Sequence, residues 1–296
     1  MQKDAFYTVH PAVNMLFFAA VMLITAFVLH PVITGVSLVS ACAYAIFLRG
    51  RRAAILTLCG LLPFILIVAA VNALFNHAGT RVLFYLNNGN AITLEAVLYG
   101  IVSACMFAAL IVWFTCLNSV VTSDKYVYLF GRAIPALSLV FSMALRFVPR
   151  FTKRIKLVSD AQRSVEPDFG KNPIAGVRHG LSVISITTTW ALESAVGISD
   201  SMRSRGYGLP GRTSFSIYRF DKRDAVMAAL LFVTFALAVV AIAVKKIYFR
   251  FYPSIKYSGA SALGVIGCIA FAVLCALPLL LNLKEELRWR VISSKI

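Results

Sequence analysis

Negative charge is what this sequence has least of. Twelve aspartates and glutamates stand against 29 lysines and arginines, and charged residues of both signs fill only 14% of the 296 positions. A water-soluble domain carries roughly 25% charged residues, so a soluble fold does not fit this composition. Acids are nearly missing from the long apolar stretches, where they would mark ion or substrate paths through a bilayer. Glu95 stands near the start of one such stretch, at its interface, and Glu193 is the one acid deep inside another. Arg178, His179 or an arginine further upstream are the expected ion-pair partners of Glu193. This shortage of acids argues against a self-contained proton-driven carrier.

Familiar catalytic and metal signatures are also lacking. There is no GxxxxGK(S/T) phosphate loop, no HExxH and no GxSxG elbow. His10, His30, His77 and His179 are isolated from one another and are read as interface, loop or cap residues. Cys42, Cys59, Cys105, Cys116, Cys268 and Cys275 all lie in apolar runs without a ligand-spaced pair, so they read as small buried hydrophobes. No catalytic set and no metal site can be assembled. Gly206-Tyr207-Gly208-Leu209-Pro210-Gly211 has GxGxxG spacing, but a dinucleotide site needs a strand before it and a helix opening at it. Here a helical segment precedes and Pro210 interrupts, so the glycines are read as a turn that closes a helix.

What is present is apolar length. Hydrophobic residues make up 60% of the chain, and several runs approach or exceed the roughly 20 residues that span a bilayer. They are continuous and do not alternate, which excludes a transmembrane β-barrel. The fold class is all-α, a polytopic helical membrane protein. The first run, Val13 to Leu29, is too long for a signal-peptide core and has no small-residue cleavage site after it.

Spans are expected at Pro11–Leu29, Val32–Leu48, Ala53–Ala73, Ile92–Leu117, Ala225–Val244 and Ala260–Leu283. Arg49-Gly50-Arg51-Arg52 places three arginines in four residues and fixes that turn, and with it the N-terminus, on the cytoplasmic side. On this count the loop with Lys245, Lys246, Arg250 and Lys256 lies outside, against the positive-inside rule. Either the rule yields locally or a span is miscounted around Leu129–Phe147 or Gly180–Ser199. The charged C-terminus, Lys284–Ile296, is expected in the cytoplasm. There is no internal repeat, and the chain divides into N-terminal spans (1–128), a basic region (129–223) and C-terminal spans (224–296).

The basic region carries most of the information. Between Arg146 and Arg223 there are 14 Lys or Arg and only six Asp or Glu. The net charge of +17 is read as cation gathered at cytoplasmic membrane boundaries, and not as a nucleic-acid surface. Leu129–Phe147, broken by Pro135, is a short span, a re-entrant element or the apolar face of a surface helix. It runs into Arg146, Arg150, Lys153, Arg154 and Lys156, a positive row on one helix face, with Phe147, Phe151, Ile155 and Val158 on the other. Pro167, Gly170 and Pro173 end that helix. Gly180–Ser199 is a second long helical segment, expected to pack under the bundle, with Gly206 as the residue that closes it.

Five segments together resemble the transmembrane T component of energy-coupling factor transporters. His10-Pro11-Ala12-Val13-Asn14 resembles an amino-terminal D/H-P-R-x-K, with Ala12 and Asn14 in place of its basic residues. Asn72-Ala73-Leu74-Phe75-Asn76-His77-Ala78-Gly79 is similar to N-P-L-F-N-H-x-G, with Ala73 for proline. Ala144-Leu145-Arg146-Phe147-Val148-Pro149 resembles the A-L-R-F-I-P that leads into the first coupling helix. Asp160-Ala161-Gln162-Arg163 resembles the start of E-A-Q-R-A-R-G, although Ser164-Val165-Glu166 replaces its end, and Val165 stands where the key arginine is expected. Ser201-Met202-Arg203-Ser204-Arg205-Gly206-Tyr207 is similar to A-M-x-A-R-G-Y. The segments fall in family order over roughly residues 10 to 225.

The resemblance implies a non-catalytic scaffold in the bacterial inner membrane with long cytoplasmic coupling helices. Its implied partners are two ATP-binding cassette ATPases and a small integral-membrane substrate-binding subunit that selects a vitamin or metal. ATP and magnesium would be used by the ATPases, and this chain would bind no cofactor. The implied ATPase-coupling residues are Arg205, Ser204 and Gly206 at one helix end and Arg163, Gln162 and Ala161 at the other. Arg146, Pro149, Arg150 and Glu193 would support them. The competing reading is a stand-alone secondary transporter.

Overall fold

A computed structural model describes residues 4–85, 91–165, 173–209, 218–245, 247–257 and 261–293. Glu166, Pro167, Gly170, Pro210, Gly211 and Lys246, singled out above, lie outside the described residues. The chain forms two compact units, residues 1–122 with 218–296, and residues 123–217.

The first unit contains α1 (Pro11–Phe27), α2 (Pro31–Arg49), α3 (Arg51–Phe75), α4 (Leu94–Val120), α8 (Lys222–Ala243) and α9 (Ala262–Ser293). There are two antiparallel hairpins, β1 (Val82–Tyr85) with β2 (Ala91–Thr93) and β3 (Phe249–Arg250) with β4 (Lys256–Tyr257); both lie between expected spans, except that β2 takes Ile92 and Thr93 from the start of the span expected at Ile92–Leu117. The second unit contains α5 (Ser123–Ala133), α6 (Pro135–Val165) and α7 (Pro173–Ser204). Among the described residues, α2, α4, α7, α8 and α9 are long and apolar enough to cross a membrane. The apolar helices α1 and Cys59–Phe75 of α3 are shorter.

Local chemistry sets these boundaries. α1 and α2 each begin with a His-Pro pair. Proline at the first helical position has no N–H to leave unpaired, and the preceding imidazole caps the next free donor. His10 Nδ1 accepts from the Ala12 N–H at 3.2 Å, and His30 Nδ1 accepts from the Val32 N–H at 3.3 Å. α8 begins with a reciprocal cap between Asp221 and Asp224. Leu129–Phe147 is divided: α5 stops at Ala133 and α6 starts at Pro135, because the residue before proline is driven out of helical geometry.

In lipid the tails are as apolar as leucine, so packing and polar bonds must hold the helices together. α4 packs against α1, α2 and α3, α8 against α9, and α2 against α9. At the centre lie Phe6, Phe17, Phe18, Tyr44 and Trp113, all fully buried and meeting largely edge to face. Trp113 Nε1 donates to Ser37 Oγ at 3.0 Å, and the Ser37 and Thr25 hydroxyls are 2.9 Å apart. A buried Trp N–H usually finds a partner of this kind.

The two ends of this unit are distinct. At one, Arg49 Nε donates to Ser119 Oγ at 3.5 Å, Tyr44 to Asp4, and the His10 N–H to Asp224. The chain leaves after Thr122 and returns at Tyr218 at this same end, where the Arg49 turn lies. At the other, Asn76 Nδ2 donates to Tyr252 Oη at 2.8 Å and the His30 ring meets Phe249. The hairpin carrying Arg250 and Lys256 therefore stands opposite the Arg49 turn. Of the two explanations for that loop, the local exception to the positive-inside rule is the one the packing supports.

Candidate coupling interface

α6 and α7 form an antiparallel pair. Ring centroids of Phe151 and Trp190 are 5.7 Å apart, Ser159 Oγ and His179 Nε2 are 3.2 Å apart, and Gln162 Nε2 donates to Ser182 Oγ at 2.8 Å. The seam is therefore polar toward the end of α6 and aromatic further back. Arg150 and Arg154, one helical turn apart, place their guanidinium carbons 6.0 and 5.3 Å from the Trp190 ring centre. The expected split of α6 holds: Arg146, Arg150, Lys153, Arg154 and Lys156 are exposed, while Phe147, Phe151 and Val158 are half-buried. The two arginines wrap the same indole that Phe151 touches, because long stems carry a charge around the helix.

The candidate residues fall into two separated groups. Ala161, Gln162 and Arg163 lie in the last turn of α6, with Ala161 and Arg163 exposed. Gln162 is half-buried and spends its amide on Ser182. Val165, in the position of the expected arginine, is 82% exposed at the helix end. Ser204 and Arg205 are exposed at the end of α7. At 1.5 Å per residue, Ser204 lies about 33 Å along α7 from the level of Ser182, so the structure does not bring the two groups together.

The end of α7 is closed by its backbone. The Tyr207 N–H donates to Met202 O and the Gly206 N–H to Arg203 O, both at 3.0 Å. This 6→1 and 5→2 pair is the Schellman arrangement, with Gly206 in the left-handed position. Gly206 has φ +81° and Gly208 φ +98°, conformations that L side chains rarely adopt. Arg205 is thereby the last residue before the chain reverses. Ser204 Oγ donates to Ser201 O at 2.9 Å. The turn expected in place of a dinucleotide loop is what the structure contains.

Of the supporting residues, Arg146, Pro149 and Arg150 are exposed on α6. Pro149 sits inside the helix and forgoes one ladder bond, and nearby Thr152 Oγ1 donates back to Val148 O and Pro149 O. Glu193 is exposed and makes no ion pair among the described residues. That corrects the expected pairing. Arg178 and His179 lie four turns back, about 21 Å along the same helix, and Arg150 and Arg154 are drawn to Trp190.

The buried acids are elsewhere. Asp4, Glu95 and Asp224 are 8%, 1% and 3% exposed. Asp4 accepts from Tyr44 Oη, Asn282 Nδ2 and the Phe6 N–H, and Asp224 accepts from the His10 and Asp221 N–H groups. Glu95 accepts from Thr80 Oγ1 and the Arg81 N–H. Sequence reading passed over Asp4 and Asp224 because both stand outside the apolar runs. The nearest signal was Asp221 and Asp224 ahead of an apolar run, the mark of a helix start. Among the described residues no group of three or more His, Cys, Asp or Glu stands ready to hold a metal.

No protein-family model matches the chain. Two curated relatives do. The energy-coupling factor transporter transmembrane protein EcfT of Lactobacillus helveticus is 32% identical over 107 residues, covering 36% of this chain and 39% of the relative. EcfT of Lacticaseibacillus paracasei is 32% identical over 97 residues, 32% of this chain and 37% of the relative. The chain is distantly homologous to EcfT transmembrane proteins. The matches span under half the length of these relatives.

Proposed function

We propose that this chain is the transmembrane scaffold of an energy-coupling factor transport system, a multi-pass protein of the bacterial inner membrane. In this reading it carries no ATP chemistry of its own. Two ATP-binding cassette subunits, which use ATP and magnesium, dock on the cytoplasmic ends of α6 and α7. Their closure moves those ends, and the motion passes to a small membrane subunit that binds a vitamin or metal. Residues 129–223 then act as the coupling region between membrane parts 1–128 and 224–296.

The observation that carries this reading is the exposed Arg205 on a helix end closed by Gly206, inside a segment that matches the second coupling signature. An arginine offers a rigid fork of donors for carboxylates or helix-terminal carbonyls of a partner, and the tight turn keeps backbone bulk away from it. The separation of about 33 Å along α7 supports two docking points on two subunits in preference to one shared site. Arg163 takes the α6 position, since Val165 has no charge to offer. The exposed stripe Ile174, Val177, Leu181, Ile184, Leu192 and Val196 runs on the side of α7 away from buried His179, Val183 and Thr187. It supplies an apolar face for the substrate-binding subunit.

The test is co-purification of the tagged chain from its native membrane in mild detergent, with wild type beside Arg205→Glu. ATPase subunits are expected with wild type and are expected to be lost with the substitution, since truncating a desolvated interface charge costs about 2–5 kcal/mol. A stable wild-type protein that never brings an ATPase, yet transports alone in vesicles, would establish the stand-alone carrier in its place.

A further inference from the structure

The C-terminal half of α9 carries a feature that coupling does not use. A shallow, open groove of about 550 Å³ runs along the surface of this one helix, with Leu280, Leu283, Leu287 and Val291 beside Lys284 and Arg288. Its leucines are each more than half exposed.

The charges on this face are arranged against their own interest. Lys284 and Arg288 are one helical turn apart, so two like charges share one stripe, which weakens a helix by about 0.2–0.5 kcal/mol. Neither makes an ion pair among the described residues. Glu286 points about 200° away from Lys284, and Glu285, about 60° around the helix from Arg288, is turned to Arg223 at 3.5 Å. The groove's lining thus holds two cations and an apolar floor, with the neighbouring Glu285 engaged by Arg223.

Its depth selects the occupant. The apolar run of α9 ends at Leu283, and Lys284 opens the charged segment. Leu280 and Leu283 form the last turn of the apolar run, and Leu287 and Val291 continue the apolar strip about 6 and 12 Å further along the helix, beside the charged segment. This end of α9 belongs to the same end of the unit as the Arg49 turn, since Asn282 bonds Asp4 there. An acyl chain fits the strip and a phosphate fits the pair of cations.

We propose that this groove binds an anionic phospholipid of the cytoplasmic leaflet, with its phosphate between Lys284 and Arg288 and the upper part of one chain along Leu280, Leu283 and Leu287. The purified full chain, stripped of lipid in detergent, is titrated with phosphatidylglycerol or phosphatidylcholine and the retained lipid is read by native mass spectrometry. Wild type is expected to prefer phosphatidylglycerol. The double variant Lys284→Ala/Arg288→Ala is expected to lose about thirtyfold in apparent affinity for it, the equivalent of about 1 kcal/mol per basic residue near an anionic lipid surface. Leu287→Trp fills the strip with both charges intact and is expected to lose the lipid too, which keeps the test open if the double variant does not fold. Lys256→Ala, at the opposite end, is expected to behave as wild type. Equal retention of both lipids by wild type, unchanged affinity in both groove variants, or displacement by millimolar inorganic phosphate alone would each overturn the assignment. So would a groove closed by a second copy of the chain, seen as a dimer that excludes the lipid.

Discussion

Asn282 and Asp4 hold each other across almost the whole chain. Asn282 Nδ2 donates to Asp4 Oδ1 at 2.7 Å, and the Ala5 N–H donates to Asn282 Oδ1, also at 2.7 Å. Tyr44 Oη donates to the other carboxylate oxygen at 2.9 Å. One buried acid thus ties the N-terminal segment to α2 and α9 with neutral donors only.

That arrangement predicts a stability loss when either donor is removed. Asn282→Leu removes the partner of the Ala5 N–H and leaves Asp4 Oδ1 with the Phe6 N–H alone, and an unmet buried group costs about 1–3 kcal/mol. Tyr44→Phe removes one donor and keeps the ring packing, so its loss is expected to be about 1–2 kcal/mol. Both would be read as lowered melting temperatures in detergent. Because the two donors share one carboxylate, the double variant should cost less or more than the sum. Simple additivity would show that Asp4 does not link them.

The second prediction concerns the end of α7. Gly206→Ala forces a Cβ into the left-handed region and within 3.1 Å of Leu209 Cδ1. The helix loses about 1 kcal/mol at that end, too little to unfold a unit of this size. Co-purifying ATPase is expected to fall sharply all the same, because Arg205 turns with the backbone that carries it. Normal expression together with wild-type ATPase recovery would remove the turn from the docking point.

Much of this architecture was legible in the residues, and for identifiable reasons. Apolar runs between Pro11 and Leu29 or Val32 and Leu48 leave a chain in lipid little choice but helix, since backbone polar groups must be met internally. Gly206 followed by Pro210 announced a helix end, and Pro135 announced a boundary. What stayed hidden depended on distant partners. Asp4 looks like an ordinary terminal acid until Tyr44 and Asn282 close on it. Glu193 looked deep because its neighbours are apolar, yet the pair α6–α7 leaves that side uncovered. Arg150 and Arg154 read correctly as part of a charged face, but no local pattern reveals Trp190 of another helix beside them. The two hairpins went unread because strands of two to four residues are too short for a period to show.

The third prediction follows from the His-Pro cap of α2. Burial holds the His30 imidazole below its ordinary value of 6.5. Its Nδ1 must also be unprotonated to accept the Val32 N–H. The contribution is therefore complete above pH 6.5, where folded and unfolded states are both neutral. It is lost as pH falls through the lower folded value, and the cap is worth about 1 kcal/mol. Melting temperature measured from pH 8 to pH 5 should show a drop in wild type that is smaller in His30→Asn, which caps without titrating. Parallel curves for the two proteins would assign the acid sensitivity elsewhere.

The last prediction explains a segment that the coupling scheme leaves idle. Gly79 has φ +147°, and a Cβ built there would stand 2.7 Å from Glu95 Oε2 and 2.7 Å from Thr93 Oγ1. The loop before β1 is thus folded directly onto the buried carboxylate, which accepts from Thr80 Oγ1 and the Arg81 N–H, while Thr93 Oγ1 donates to Ala78 O at 2.9 Å. Gly79→Ala is expected to cost about 2–4 kcal/mol, from backbone strain and overpacking together. Glu95→Ala alone removes the acceptor and leaves the Arg81 N–H unmet, at about 1–3 kcal/mol. In the double variant the missing carboxylate makes room for the new methyl, so the combined loss should be smaller than the sum, while Thr93 and the backbone angle keep the rescue partial. The cycle is measured by thermal unfolding of the four proteins in one detergent. A combined loss equal to the sum would mean that the loop and Glu95 are neighbours without being coupled, and that the Asn72–Gly79 segment is held by Asn76 and Tyr252 instead.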